Sequence, residues 1–164
     1  MPAASASWMA RMIKQQEKLL MSSAPTVPES HRHILETAVF AYVSTIRAKD
    51  QLISTNPVGF DWDGETFRFS TLKSRVKYRN MQADARLTVC VMDPVAPTRY
   101  IELRGRAVLE DDPEGALNQK IFRKNMGRDF DLDEPDAERV IVTLVLEQVS
   151  TPLLYGGKLD HIGS

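Results

Sequence analysis

The residues best suited to chemistry in this sequence are hydroxyl and basic side chains clustered between positions 69 and 80. The hydroxyl groups belong to Ser70, Thr71 and Ser74, and the basic groups to Lys73, Arg75, Lys77 and Arg79. The stretch begins as a strand and continues as a helix, so free backbone N–H groups and the positive end of the helix dipole point at one place. Arginine contacts phosphate through two parallel hydrogen bonds and lysine adds a point charge. This junction therefore predicts a site for a phosphate-bearing ligand.

Helical geometry limits how many of these cations can act together. Lys73 and Lys77 share one face, and Arg75 and Arg79 share another, so the four do not contact a single phosphate. We expect the first turn of the helix to be the binding part. The alternative remains open that these residues simply form a solvated basic face, as charged residues at helical spacing often do.

Other reactive residue types point to no further site. The single cysteine, Cys90, lies in an apolar run and is expected to be buried as a small hydrophobic group. None of His31, His33 and His161 is spaced with cysteines or carboxylates as a metal ligand would be, so no metal site is expected. We find no nucleophile–base pair, no Gly-x-Gly-x-x-Gly loop and no P-loop. The sequence therefore assigns no catalytic side chain.

Composition limits the class of protein. The chain has 164 residues, 43% of them hydrophobic and 26% charged, which suits one globular domain. A net charge of −1 argues against general nucleic-acid binding, which usually requires a basic domain. No apolar segment approaches the ~18 residues of a membrane span, and no secretory pattern opens the chain, so a cytoplasmic location is expected.

The elements that must position the basic cluster are mainly strands. Hydrophobic alternation predicts six of them, at residues 39–46, 51–60, 65–71, 86–93, 99–110 and 139–149. Helices are predicted at residues 29–37, 74–83 and 113–125. An Asp-Gly turn within residues 61–64 should join the second and third strands, and Gly105 should mark a bulge. Strands in hairpin order favour a small antiparallel barrel of the mainly β, α+β class.

The two ends of the chain differ from the middle. Residues 1–28 are predicted to be an extension, with a helix over residues 8–20 followed by a Ser- and Pro-containing linker. Residues 29–150 form the predicted domain. Residues 151–164 are a glycine-containing tail that we expect to be irregular.

Four segments in order resemble the flavin- and deazaflavin-binding split β-barrel family, which contains the pyridoxamine 5'-phosphate oxidase-like proteins. The segments are residues 54–58, 69–77, 80–89 and 100–107. The resemblance spans residues 34–149 and is greatest to the actinobacterial branch that uses the deazaflavin coenzyme F-420. It implies a six-stranded antiparallel split barrel, and a homodimer with the cofactor in a groove between subunits.

The resemblance also implies the roles of particular residues. Ser70, Thr71, Arg75 and Lys77 are the candidates for the cofactor phosphate, and Lys73 is a further one. Asn56 is a candidate for a polar contact to the ring edge, although a residue before proline can instead merely shape a strand. Arg99 is expected to reach the cofactor from the partner subunit.

The resemblance implies an oxidoreductase whose cofactor carries the redox chemistry. Hydride transfer between coenzyme F-420 and a conjugated planar acceptor, such as a quinone, an enone or a bilin, is the expected reaction. Tyr155, His161 or solvent would donate the proton. Because the cluster holds more positive charge than one FMN phosphate requires, F-420 is favoured. An FMN-dependent oxidase or reductase and a non-catalytic flavin- or tetrapyrrole-binding protein are the alternatives.

Overall fold

Seven strands and three helices make up the part of the chain that the structure, a computed structural model, describes: Arg11, Lys14 and residues 24–159. The helices are α1 (Glu29–Thr37), α2 (Val76–Ala83) and α3 (Ala116–Met126), followed by a short 3-10 turn at Leu154–Gly157. The strands are β1 (Phe40–Ile46), β2 (Ile53–Gly59), β3 (Asp61–Trp62), β4 (Phe67–Leu72), β5 (Arg86–Met92), β6 (Tyr100–Asp111) and β7 (Arg139–Ser150). Apart from Arg11 and Lys14, the helix predicted over residues 8–20 lies outside the described residues.

The strands form one antiparallel sheet in the order β2-β1-β5-β6-β7-β4-β3. The sheet curls until β2 and β4, which are far apart in that order, come into contact. Helix α3 packs across this closing point against β2, β3 and β4. The predicted antiparallel split-barrel fold is confirmed, and its open side is where a groove can form.

The predicted number of six strands is wrong, because residues assigned to the turn form the short strand β3. Asp61 pairs with Arg68, and Trp62 pairs with Phe67. The Asp63 carboxylate accepts hydrogen bonds from the N–H groups of Glu65 at 3.0 Å and Thr66 at 2.8 Å. This Asx-type turn lets the hairpin close within residues 63–66, so the pairing extends back to Asp61.

The core lies inside the curled sheet and shows the alternation that the sequence predicts. Phe67 and Phe69 on β4 are 2% and 0% exposed, and the rings of Phe60 and Phe67 stack at 5.0 Å. Helix α1 packs against β5 and β6 and contributes the fully buried Ile34 and Leu35. Burial of large apolar side chains at this density is the main stabilising term of the domain.

Gly105 marks a β-bulge, as predicted. The register between β6 and β7 shifts between Arg104 and Gly105. A Cβ atom at position 105 would lie only 1.9 Å from the carbonyl oxygen of Val145, so no other residue fits without moving β7. The bulge lets two twelve-residue strands bend together around the core.

No helix among the described residues is long and apolar enough to cross a membrane.

Candidate functional site

A cleft of about 350 Å³ opens where α3 crosses the closing point of the barrel. One wall is apolar and comes from β1, β2 and α3, with Phe40, Val58, Ile121, Phe122 and Met126 among its residues. The other wall is polar and consists of Ser70, Thr71, Arg75, Lys77 and Arg139. An apolar wall facing a few convergent polar groups is the usual form of a small-molecule site.

The close approach of α3 to β2 depends on Gly59. A Cβ atom at this position would lie 2.9 Å from Cγ2 of Ile121 and 3.4 Å from Nδ2 of Asn125. Glycine therefore allows the helix to sit directly on the strand, and both elements line the cleft. The cleft is a consequence of how α3 packs.

A buried hydrogen bond positions α2 on the opposite side. Asn80 is 3% exposed, and its Nδ2 donates to Oγ1 of Thr45 on β1 at 3.0 Å, with Thr45 itself 2% exposed. Breaking a buried polar pair of this kind leaves both groups unsatisfied. The pair therefore fixes the helix whose first turn reaches the cleft.

Arg75 and Lys77 are the two cations at the start of α2, and neither has an ion pair or a side-chain hydrogen bond in the part of the chain described. Burial lowers the pKa of the Lys77 amine, and the nearby Arg75 charge lowers it further. The α2 N-terminus also has no side-chain cap. Two adjacent uncompensated cations beside free backbone N–H groups fit an anionic group such as a phosphate.

The hydroxyl residues end β4 beside these cations. Ser70 Oγ accepts a hydrogen bond of 3.4 Å from Nη1 of Arg139, and Thr71 is 4% exposed. The structure thus brings together four residues of the predicted set: Ser70, Thr71, Arg75 and Lys77.

The remaining predicted residues do not line this cleft. The Lys73 amine forms ion pairs with Asp111 at 3.0 Å and Glu138 at 3.2 Å. Hydrogen bonds to these two carboxylates raise the pKa of Lys73. Asn56 lies on β2 opposite Val43, next to the cleft residue Pro57. Their proposed contacts to a cofactor stay predictions.

Arg99 lies just before β6, and its Nη2 donates to the carbonyl oxygen of Ser30 at 2.5 Å, which links it to α1. It does not line the cleft of its own chain. The predicted contact of Arg99 is with the cofactor of a partner subunit, and it stays a prediction.

Sequence reasoning did not identify Arg139 as part of the site. This residue begins β7, and the strand pairing places it opposite Leu72 at the end of β4. No local motif marks it, because it lies more than sixty positions along the chain from the hydroxyl pair. Only the pairing of the last strand with β4 brings it to the cleft.

Within the described residues, no group of three or more His, Cys, Asp or Glu side chains is placed to hold a metal ion.

Comparison with known proteins identifies relatives of this fold. The family model for pyridoxamine 5'-phosphate oxidase matches residues 27–151. An F-420 reductase of solved structure is 34% identical, with a TM-score of 0.69, over 76% of this chain and 98% of that one. None of the curated proteins matches the chain.

Two more distant structures share the fold alone. A conserved hypothetical protein from Mycobacterium tuberculosis is 17% identical, with a TM-score of 0.60, over 77% of this chain and 85% of that one. General stress protein 26 from Bacillus anthracis is 18% identical, with a TM-score of 0.58, over 74% and 89% of the two chains.

Proposed function

The chain belongs to the pyridoxamine 5'-phosphate oxidase family of flavin-binding oxidoreductases, and we propose that it is a reductase that uses the deazaflavin coenzyme F-420. The observation that supports a cofactor site in this cleft is the uncompensated pair Arg75 and Lys77 facing an apolar wall. Such a cleft suits a ligand that is flat and apolar at one end and anionic at the other.

Each wall of the cleft has a role in holding the cofactor. Arg75, Lys77 and the hydroxyl groups of Ser70 and Thr71 bind its phosphate. The apolar side chains of Phe40, Val58 and their neighbours pack against the ring system and exclude water. Asn56 contacts the ring edge, and Arg99 reaches the cofactor of the partner subunit. Lys73 must leave Asp111 and Glu138 to contact the phosphate.

The choice of F-420 over FMN rests on the F-420 reductase that is 34% identical to this chain. The surplus of positive charge expected from the sequence does not support it, because most of those cations are engaged elsewhere. Lys73 pairs with two carboxylates, and the Arg79 side chain donates to the Ser74 carbonyl oxygen at 3.3 Å. Arg75 and Lys77 alone would also suit FMN, so an FMN-dependent enzyme is the second candidate.

The bound deazaflavin supplies the hydride, and the acceptor is a conjugated planar molecule such as a quinone, an enone or a bilin. The chain contributes binding, orientation and a cleft wall that excludes water. Tyr155, one candidate proton donor from the sequence, is 77% exposed and does not line the cleft. His161, the other candidate from the sequence, lies outside the described residues, and solvent is the third source.

We also propose a homodimer, which an exposed apolar strip on the outer face of the sheet supports. Tyr42 pairs with Pro57 on one side and Cys90 on the other, and directly paired residues share a face. Phe40 and Met92 extend the same strip and are 51% and 41% exposed. Because Phe40 also lines the cleft, a partner that covers this strip would border the cofactor.

A cofactor titration tests the proposed function. Purified protein is mixed with coenzyme F-420 and, separately, with FMN, and the fluorescence of each cofactor is followed. We expect saturable binding of F-420 that is tighter than the binding of FMN. Tighter binding of FMN would replace F-420 with the second candidate, and no binding of either would contradict a cofactor site.

A turnover assay separates a reductase from a non-catalytic binder. Oxidation of reduced F-420 is followed by absorbance with menadione, a cyclic enone and biliverdin in turn. We expect at least one acceptor to be reduced. Binding without turnover of any acceptor would favour a carrier or sensor of flavins or tetrapyrroles.

A further inference from the structure

Arg139 is held at the polar end of the cleft by contacts on three sides. Its side chain is 12% exposed. Nε and Nη2 donate to the two oxygens of Asp133, each at 2.7 Å, and Cζ lies 5.1 Å from the centre of the Phe130 ring. A planar guanidinium that is paired on one edge and stacked on one face has little freedom to move.

The segment that holds Arg139 is itself anchored. The side-chain amide of Gln119 on α3 makes two hydrogen bonds to the backbone of Phe130. Its Oε1 accepts from the Phe130 N–H at 3.0 Å, and its Nε2 donates to the Phe130 carbonyl oxygen at 2.5 Å. The Phe130 ring meets the edge of Phe122 at 5.1 Å, and Phe122 lines the cleft. Arg139 is therefore oriented by contacts that run through α3, the other wall of the site.

The Nη1 amino group of Arg139 is only weakly used. Nη1 donates to Ser70 Oγ at 3.4 Å, which is long for a hydrogen bond of a charged donor. An anionic oxygen near Ser70 would be a stronger acceptor for it. Arg75 and Lys77 line the same cleft, and neither is neutralised by a carboxylate.

We propose that Arg139 is the third cation that binds the anionic group of the ligand, and that Asp133 and Phe130 set its position. This inference rests on the proposed function, because the anionic group in question is the cofactor phosphate. The competing explanation is structural: Arg139 would only fasten residues 127–138 to the barrel through Asp133.

Two substitutions separate these explanations, because both break the Arg139–Asp133 ion pair and only one removes the cation. Arg139→Ala is expected to weaken F-420 binding about tenfold or more and to reduce its dependence on salt. Asp133→Asn leaves the guanidinium and one side-chain oxygen to orient it, and it removes a competing negative charge, so binding should fall clearly less than in Arg139→Ala. Arg139→Lys should recover part of the loss at low salt.

Asp129→Asn is the matched control, since it breaks the ion pair with Arg123 in the same segment but away from the cleft. It should leave binding unchanged. Equal losses in Arg139→Ala and Asp133→Asn would overturn the proposal in favour of the structural role, and so would unchanged binding in Arg139→Ala.

A second probe keeps this test separate from the proposed function. Binding of inorganic phosphate is measured by phosphorus NMR line broadening in the wild type and the same variants, and the same order of affinities is expected. If the wild type binds neither F-420 nor FMN, the proposed function fails while the phosphate data still decide the role of Arg139. If Arg139→Ala does not fold, a loss in Asp133→Asn as large as that in Arg139→Lys overturns the proposal.

Discussion

Arg75 and Lys77 differ from the cations on the sheet surface in having no acidic partner. Arg68 pairs with Asp61 and Asp63, and Arg104 and Arg106 pair with Glu102 and Glu147. An exposed pair such as Arg106–Glu147 contributes little to stability. A half-buried amine beside a second cation carries a desolvation cost that only a bound anion offsets, so the cleft selects the sign of its ligand.

The lowered pKa of Lys77 predicts how cofactor binding depends on pH. Only the protonated amine attracts a phosphate, so its contribution to affinity is present below the pKa of Lys77 in the folded protein. That contribution is lost as pH rises through a pKa that lies below the ordinary 10.5, because burial and Arg75 disfavour the charge. Titration of F-420 at rising pH should show weakening that Lys77→Arg shifts to higher pH. Identical pH profiles for the two proteins would contradict this role.

How much of the site the sequence predicts depends on how local its residues are. Ser70, Thr71, Arg75 and Lys77 lie within eight positions, so strand and helix geometry alone bring them together. Lys73 lies in the same segment, yet its partners Asp111 and Glu138 are distant in sequence and engage it away from the cleft. Arg139 reaches the cleft only through pairing of β7 with β4, which no local pattern reveals.

At the scale of elements, α3 forms one wall of the cleft and depends on a buried cap. Asp112 is 6% exposed, and its carboxylate accepts hydrogen bonds from the N–H groups of Ala116 and Leu117, each at 3.0 Å. We predict that Asp112→Ala lowers the free energy of unfolding by about 1–3 kcal/mol, because the cap and a buried acceptor are lost. Urea denaturation measures the change. Glu114→Ala, at an exposed neighbour, is the control, and equal midpoints for the two variants would refute the cap.

The bulge at Gly105 supports a second stability prediction. Gly105→Ala places a methyl group 1.9 Å from the Val145 carbonyl oxygen, so β7 must move away from β6. We expect a loss of about 1–3 kcal/mol or more in the free energy of unfolding, measured by urea denaturation. Gly64→Ala has positive φ but no atom within 4 Å of the new methyl group, so it isolates the backbone contribution. A smaller loss at position 105 than at position 64 would contradict the account.

Within residues 29–150, the predicted helices and longer strands are present in the structure, but several begin or end at other residues than predicted. The helix expected from residue 74 begins at Val76, because residues 73–75 form a turn in which the N–H of Arg75 donates to the Leu72 carbonyl oxygen at 3.0 Å. The two residues of β3 are too few to produce an alternating pattern, so only the pairing with β4 reveals them. Strong alternation, as in β4, made the longer strands predictable.

At the scale of the whole molecule, the exposed apolar strip containing Tyr42 predicts self-association. Light scattering at micromolar concentration should give about twice 18.5 kDa. Tyr42→Asp should shift the protein to the monomer, because it places a charge at the centre of the strip. It should also weaken F-420 binding if Arg99 of a partner contributes. A wild-type monomer that binds the cofactor would rule out the shared groove.

The hairpin order of the strands predicted an antiparallel barrel, but not where it opens. The opening is determined by contacts between β2 and β4 and by the passage of α3 over Gly59. These contacts join segments far apart in sequence and leave no periodic signal. The location of the cleft therefore required the structure, while the chemistry of its polar end, apart from Arg139, did not.

The most direct test of the central claim measures F-420 affinity in Arg75→Ala/Lys77→Ala against the wild type by fluorescence titration. Arg79→Ala is the matched control, since Arg79 lies on the same helix but outside the cleft. Each charge-assisted phosphate contact is worth about 1.5–3 kcal/mol, so the double variant, which loses two of them, should bind more weakly by about a hundredfold or more. The control should bind like the wild type, and all three proteins should unfold at similar urea concentrations. Undiminished affinity in the folded double variant, at low and high salt alike, would contradict the account.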